Sequence, residues 1–457
     1  MVDMMLFQSS VPHIFNKMNL ELYSADTAAR KAETAKRLNY YHDAQLSYLS
    51  SQLEELFAEP DKMLRVELNV VKKVINSLAQ TYTTPPTREL LNATDKDRQI
   101  YKDILTYSKF DLKLKQATRY LKLLKTILLK VVWRNGHVDL DILTGNLLDV
   151  ETGDTPEDLK LVLISDYGNS DKVEDVQYSL WSPASWRRLD YQGNVIEEEE
   201  NPFKILPFIP LFDFPPPSNN FWLPGGDDLI SQQEAINIKL VDLLHLLYFQ
   251  SFGVGFIKGS EYEGSPISVG PGALVELPAG GEIGYVSQQA EIRAVVEAID
   301  KLIKWCAVAQ GLSAASVSTD PSEASGVSKV WDSVELAEMR VEDKILWSGY
   351  ERQIFDMIRI VNNTHSGDKL SQACQLRVNF SDPARPTTSP LDEAQAYQTY
   401  FNMGVMSPVD ILMMKDKDIR SREEALERLK QIKNETQQLI GSDVKGDKAN
   451  GTKNVVR

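Results

Sequence analysis

The stretch 227–363 constrains the fold more than any other part of the chain. Its pattern orders as helix, short Gly/Pro-rich insert, helix, small-residue loop and one very long helix. The first helix follows the break Leu223-Pro224-Gly225-Gly226 and is expected over 227–250. The insert, 252–286, is rich in glycine and proline and carries short β-type runs. The second helix is expected over 287–310 and stops at Gly311. In the last helix Val327, Val330, Val334, Ala337 and Val341 recur three and four apart, and the pattern continues past Ile358. Two helices with a compact tip make a stalk, and the long helix makes a beam anchored in a larger body. At the usual rise the beam to Asn363 spans roughly 55 Å and the first stalk helix roughly 36 Å. Such lengths exceed what one domain core needs, so part of each helix is expected to pack on another subunit.

Size and composition frame the rest. The chain has 457 residues, 42% apolar and 25% charged, a soluble globular composition; the length suggests about two to four domains. Its two cysteines, Cys306 and Cys374, are far apart and suit a reducing compartment. The start, Met1-Val2-Asp3-Met4, lacks the pattern of a secretory signal. The apolar run 240–249 is interrupted by Asp242 and His245, so no membrane span is expected. The net charge of −15 argues against broad, tight phosphate binding, yet is compatible with DNA sliding past.

Helices are expected over 40–57, 61–82 and 95–129, the second with Leu64, Leu68, Val71, Ile75, Leu78 and Tyr82 on one stripe. From 128 to 209 the chain changes to β-rich runs. Asn135-Gly136 and Gln192-Gly193-Asn194 mark hairpins. The acidic run Glu197-Glu198-Glu199-Glu200 fits a solvated edge. Prolines 207, 210, 215–217 and 224 suggest an extended linker into the stalk. Cys374, Leu376, Val378 and Phe380 alternate as one strand face. Ser389-Pro390, Ser407-Pro408 and Ser421 with Glu424 read as helix starts. The segment 441–457 is expected to be disordered.

Motifs for chemistry are sparse. Gly253-Val254-Gly255 through Gly259 has no nucleotide-binding spacing. The five histidines, at 13, 42, 137, 245 and 365, lack partners at metal-ligand spacing; His245 reads as a packing or interface residue. No Gly-x-Ser-x-Gly elbow is present. A serine nucleophile in 313–325 would need a histidine that the neighbouring sequence does not supply. The loop 311–326 has two charges, Asp320 and Glu323, and no lysine or arginine. As a surface turn, Asp320-Pro321-Ser322-Glu323 makes a good helix start. As a channel lining, the same loop would make few lasting phosphate contacts.

These residues resemble those of the portal proteins, the head-to-tail connectors of tailed double-stranded DNA bacteriophages. The segment 69–82 is similar to that family's early wing helix. Tyr178-Ser179-Leu180-Trp181-Ser182-Pro183, Asn201-Pro202-Phe203 and Leu206-Pro207-Phe208-Ile209-Pro210 resemble the strand and proline-rich approach to its stem. Ser322-Glu323-Ala324-Ser325-Gly326 resembles the junction after its tunnel loop. Gly404-Val405-Met406-Ser407, then 421–428, resemble the start of its crown. The matches keep the family's order and span about residues 35–435.

The resemblance implies an α+β, mainly helical portal-type fold in a ring, about twelve copies around a channel. It implies an N-terminal wing region in 1–226, first stem helix in 227–251, clip in 252–286, second stem helix in 287–310 and tunnel loop in 311–326. The long wing helix and strand would occupy 327–388, a small crown 389–440, and a disordered tail 441–457. Ser313, Ser316, Ser318, Asp320, Glu323, Ser325 and Lys329 would face the DNA channel. Lys258, Glu261, Tyr262, Glu263 and Glu276 would dock the motor. The implied function is packaging and ejection of DNA at the capsid vertex of a virion made in the bacterial cytoplasm. Implied partners are further copies of the chain, passing duplex without sequence specificity, the large terminase ATPase, a head-tail adaptor, and the major capsid and scaffolding proteins. No catalytic residue, metal, cofactor or membrane is implied. The other readings are a different virion component, adaptor or scaffold, and a soluble hydrolase with an acidic pair or a loop serine.

Overall fold

A computed structural model describes residues 25–166, 173–252, 254–258, 282–286, 292–317, 334–380, 390–415 and 422–446. The chain divides into two compact units, Met1–Ser381 and Asp382–Arg457.

The first unit opens with helices α1 (Ala25–Tyr41), α2 (Leu46–Leu56) and α3 (Val70–Leu78). The expected helix over 40–57 is therefore two pieces. Asp43, in the left-handed region at φ 61°, turns the chain between them. The expected helix over 61–82 shrinks to α3. Asn69 caps it, its side chain accepting from Lys72 N at 2.8 Å, and Leu64 and Leu68 lie outside it, exposed. The expected helix over 95–129 is also two, α4 (Asp95–Tyr107) and α5 (Phe110–Leu124). Lys109 and Lys125, at φ 51° and 66°, break the helical path before and after α5.

Beyond Lys125 the β-branched run forms β2 (Thr126–Arg134), which folds back on β3 (His137–Thr144). Asn135 and Gly136, both at positive φ, make the turn that suits the strand twist. On its other edge β2 pairs antiparallel with β9 (Phe208–Phe212). That pairing corrects the reading of 207–210 as linker: every residue of β9 is buried. Pro210 is tolerated because β9 is an edge strand. A five-stranded antiparallel sheet runs β4 (Leu148–Thr152), β5 (Leu159–Asp166), β6 (Gln177–Trp181), β7 (Ser185–Leu189) and β8 (Val195–Glu200). The acidic run forms its exposed edge strand, with Arg187 and Glu198 paired at 2.8 Å and Arg188 paired with Glu197. The strand expected around 374–380 is β12 (Gln375–Asn379). It pairs with β1 (Thr87–Leu91), a strand the sequence pattern did not suggest.

The beam is α8 (Val334–His365); its expected start, 327–333, lies outside the described residues. Trp347, Ile354, Phe355, Ile358 and Val361 turn inward and are buried. Val341 and Ile345, four apart, face solvent at 53% and 68% exposure. Two buried charge clusters hold the helix. Arg88 donates to Glu351 Oε2 at 2.5 Å and Oε1 at 2.9 Å, and Tyr82 Oη donates to Oε1 at 2.7 Å. Glu351 is 0% exposed. Lys122 bridges Asp213 and Asp343, each at 2.8 Å, and Lys125 adds a second contact to Asp213 at 2.8 Å. Burial pushes the Asp343 carboxyl up, with Lys122 opposing. Burial also acts upward on Asp213, but Lys125 and Lys122 outweigh it and hold that carboxyl below its ordinary value.

The second unit contains α9 (Pro390–Asn402), α10 (Pro408–Lys415) and α11 (Arg422–Gly446). Ser407 and Asp410 form the expected reciprocal cap, with Ser407 N donating to Asp410 at 2.9 Å. α10 packs on α11, which buries Ala425. Ser389 and Ser421, the other expected caps, lie outside the described residues. The last helix runs past the expected limit at 440 to Gly446, so part of the segment read as disordered is helical.

Removing Glu351 strands a buried guanidinium with Asp111 as its remaining carboxylate partner. Glu351→Ala is expected to cost about 3–5 kcal/mol, read as a lower urea midpoint. Glu351→Leu together with Arg88→Met should recover part of that loss, Tyr82's hydroxyl still lacking its acceptor.

Candidate functional site

The stalk is α6 (Asp227–Phe252) and α7 (Ile292–Ala309), joined through β10 (Val254–Lys258) and β11 (Glu282–Val286). The expected helix–insert–helix order is present, with α7 described from Ile292. Gly225 and Gly226, at φ 122° and 92°, turn the chain into α6. Asp227 and Asp228 occupy its first turn, near the positive end of the helix dipole. Arg37 donates to Gly225 O at 2.6 Å and pairs with Asp227, fixing that start to α1. The base of the hairpin is closed by Gln310 Nε2, which donates to Asp228 Oδ2 at 2.8 Å. Leu229, Ile236 and Leu240 of α6 join Leu302, Ile303 and Cys306 of α7 in the main core. At the tip β10 and β11 pair antiparallel, from Val254 opposite Val286 to Lys258 opposite Glu282.

Gly311 sets the exit from α7. Its N–H reaches Val308 O at 3.0 Å, and Leu312 N reaches Ala307 O at 3.0 Å. This is the two-bond C-terminal cap that needs a left-handed residue, and Gly311 has φ 72°. Leu312 completes it by burying beside Cys306 and Ala307. A short 3-10 turn, Ala314–Ser316, follows, with Ser316 Oγ donating to Ser313 O at 2.7 Å. Both ends of that bond belong to one turn, so Ser316 is committed locally.

Of the expected channel residues, Ser313 and Ser316 lie together in this turn, half-buried and exposed respectively. Ser318, Asp320, Glu323, Ser325 and Lys329 lie outside the described residues. Of the expected docking residues, Lys258 ends β10; Glu261, Tyr262, Glu263 and Glu276 lie outside the described residues.

Two surface features of the stalk were missed by reading the sequence. Trp305 and Val308 face solvent on α7, opposite its packed row of Ile299, Leu302 and Cys306. On the α2 side, a groove of about 580 Å³ is lined by Phe57, Met63, Leu64, Leu244, His245 and Tyr248, among others. His245 thus lines an apolar surface, as its helix position suggested. Placing Trp305 on a helical wheel would have exposed the first signal. The groove depends on a fold-back of 57–64 that no local pattern encodes.

A second cleft, about 650 Å³, lies between α8 and β12. Its arginines are partly answered: Arg359 pairs with Asp356 at 2.8 Å and Arg377 with Glu89 at 3.5 Å. At the stalk base, burial pushes the Cys306 thiol up to about 11, Asp228 adding to the shift, the opposite of what a nucleophile needs. The described residues hold no group of three His, Cys, Asp or Glu suited to a metal. No described helix is long and apolar enough to cross a membrane.

No protein-family profile and no curated protein matches the chain. Solved structures do align with it. A chain from the neck of an empty gene transfer agent (GTA) particle, in C6 symmetry, shares 12% identity over 76% of this chain and 88% of that one, TM-score 0.43. A chain from the virion of the native particle shares 10% identity over 80% and 98%, TM-score 0.41. A chain from the neck of the native particle, in C12 symmetry, shares 13% over 74% and 86%, TM-score 0.40. Likenesses at this identity and TM-score carry no functional inference.

A Cβ at Gly311 would stand 3.0 Å from Met339 Sδ, in a backbone region side chains avoid. Gly311→Ala is expected to lower stability by about 1–2 kcal/mol, and Gly311→Asn by less; urea denaturation monitored by far-ultraviolet circular dichroism measures both.

Proposed function

We propose that this chain is a portal-type ring subunit, whose copies enclose a channel for double-stranded DNA at a capsid vertex. The observation that carries the reading is the stalk itself. A helical hairpin ends in a two-stranded tip, leaves through the Gly311 cap, and is followed along the chain by the beam. The packing of α6 on α7 explains the inner row of each stalk helix. It leaves Trp305, Val308, Val341 and Ile345 in water. Side chains of this kind are worth about 1.5–3 kcal/mol each when buried, so assembly accounts for what the single chain does not.

A ring follows from a head-to-tail contact that closes. In this reading the hairpin is the stem and the insert 252–286 the clip, where Lys258, Glu261, Tyr262, Glu263 and Glu276 meet the terminase ATPase and the adaptor. The outer edges of the two-stranded tip would pair with those of neighbouring tips. The loop 311–326 would line the channel, residues 1–226 and 327–388 the wing, and 389–440 a small crown. The net charge of −15 suits a conduit from which duplex must slip free. The chain guides DNA and leaves nucleotide hydrolysis to the motor.

Negative-stain imaging of purified protein tests the assembly: rings with an axial hole are expected, and monomers at every salt and protein concentration would contradict it. The loop has its own test. Asp320→Lys with Glu323→Lys should add phosphate contacts, slowing packaging and steepening its salt dependence. An unchanged rate and salt slope would remove the loop from the channel.

A further inference from the structure

We propose that the cleft between α8 and β12 takes an extended, acidic peptide segment of a partner protein, which adds as a third strand beside β12. The site lies within one chain and does not rest on the ring reading.

The cleft follows a strand edge. Among the described residues β12 has one strand partner, β1. Successive side chains of a strand point to opposite faces. On one face Arg88 of β1 reaches Glu351, and Leu376 of β12 packs with Phe355, so this face meets α8. On the other face Arg377 stands opposite Glu89. A cavity over one face would touch alternate residues of β12 only. This one, about 650 Å³, is bordered by 374–378 without a gap, whereas β1 contributes only Leu91, at its end. It therefore runs along the edge that β1 leaves open. No described residue outside β1 is hydrogen-bonded to the backbone of 375–379. An open edge of this kind is a template for a further strand, and five residues of strand span roughly 17 Å.

Charge selects the occupant. Three guanidiniums border the cleft, Arg352 and Arg359 from α8 and Arg377 from β12, and Asp356 is the one carboxylate among the described lining residues. Asp356 is committed to Arg359 at 2.8 Å. Arg359 also donates to Cys374 O at 2.7 Å, at the head of β12, and its Nε has no acceptor among the described residues. Arg377 meets Glu89 at 3.5 Å; both side chains are more than half exposed, and such a pair yields readily to a better acceptor. Arg352 is exposed and donates Nε to Ser348 O at 3.0 Å, with no carboxylate partner among the described residues. Its terminal nitrogens form the fork that takes a carboxylate in two parallel bonds. A third strand turns alternate side chains toward α8 and away from it. Acids on one face then meet Arg352, and acids on the other meet Arg377. A basic strand, a second β12 included, is repelled, so the same arginines keep the open edge from pairing with its own kind.

The test uses the full chain and a fluorescein-labelled octapeptide of valine and glutamate, with acids at both odd and even positions. Two control peptides accompany it. One replaces every glutamate by lysine. The other has every backbone nitrogen methylated, which keeps the charges and removes the strand donors. Fluorescence anisotropy should show saturable binding of the acidic peptide and none of either control. Arg352→Glu and Arg377→Glu should each weaken binding by roughly tenfold; both side chains are exposed, and circular dichroism checks that the variants fold as the parent does. Amide hydrogen exchange in 375–379 should slow when the peptide is bound. Absence of binding, or equal binding of the lysine peptide, would overturn the proposal. So would binding that survives methylation, binding that neither arginine variant weakens, or exchange in 375–379 that the peptide leaves unchanged. None of these results depends on whether copies form rings.

Discussion

The contact between Arg88 and Glu351 is the constraint on which the beam depends. A 32-residue helix, Val334–His365, has no reason of its own to hold one direction against a mixed body. Its apolar inner row would accept small slides, because Trp347, Ile354 and Ile358 could repack with little change in buried area. A carboxylate at 0% exposure cannot slide. Glu351 must find Arg88 and Tyr82 together, and Asp343 must find Lys122 in the same register. The desolvation cost of these groups makes wrong registers expensive, so the charges act as a specification more than as a source of stability.

That fixed direction gives meaning to the surfaces left open. The same helix that buries Glu351 presents Val341 and Ile345 outward. The stalk, tied to the body by Arg37 at Gly225 and closed at its own base by Gln310 at Asp228, leaves Trp305 exposed on α7 and an apolar groove beside α6. The turn after Gly311 is held by backbone bonds and a buried Leu312, so the loop beyond it leaves from a defined point.

The order of the stalk was legible because it is written locally. Proline and glycine mark its breaks, and a buried helix keeps its period for many turns. The Asn135-Gly136 hairpin was legible because few residue pairs take two positive φ values in succession. Other features were hidden for physical reasons. Leu64 and Leu68 fall on the stripe of α3, yet Asn69 caps the helix after them. The end of α5 is a lysine in the left-handed region, a conformation no composition rule assigns to lysine. β1 is short, and its partner, β12, lies almost the whole length of the unit away along the chain. Pro210 pointed to a linker because sequence does not say that its strand lies at a sheet edge. At the candidate site, helix order predicted where a loop begins, while the groove needed a fold-back that only tertiary packing creates.

The most direct measurement is a subunit-resolution density map of the purified assembly. The account predicts that α6 and α7 of every copy run alongside a common axis, with residues 311–326 turned toward a hole that admits a duplex. A map in which both helices sit at the centre of a lone, closed particle would contradict it.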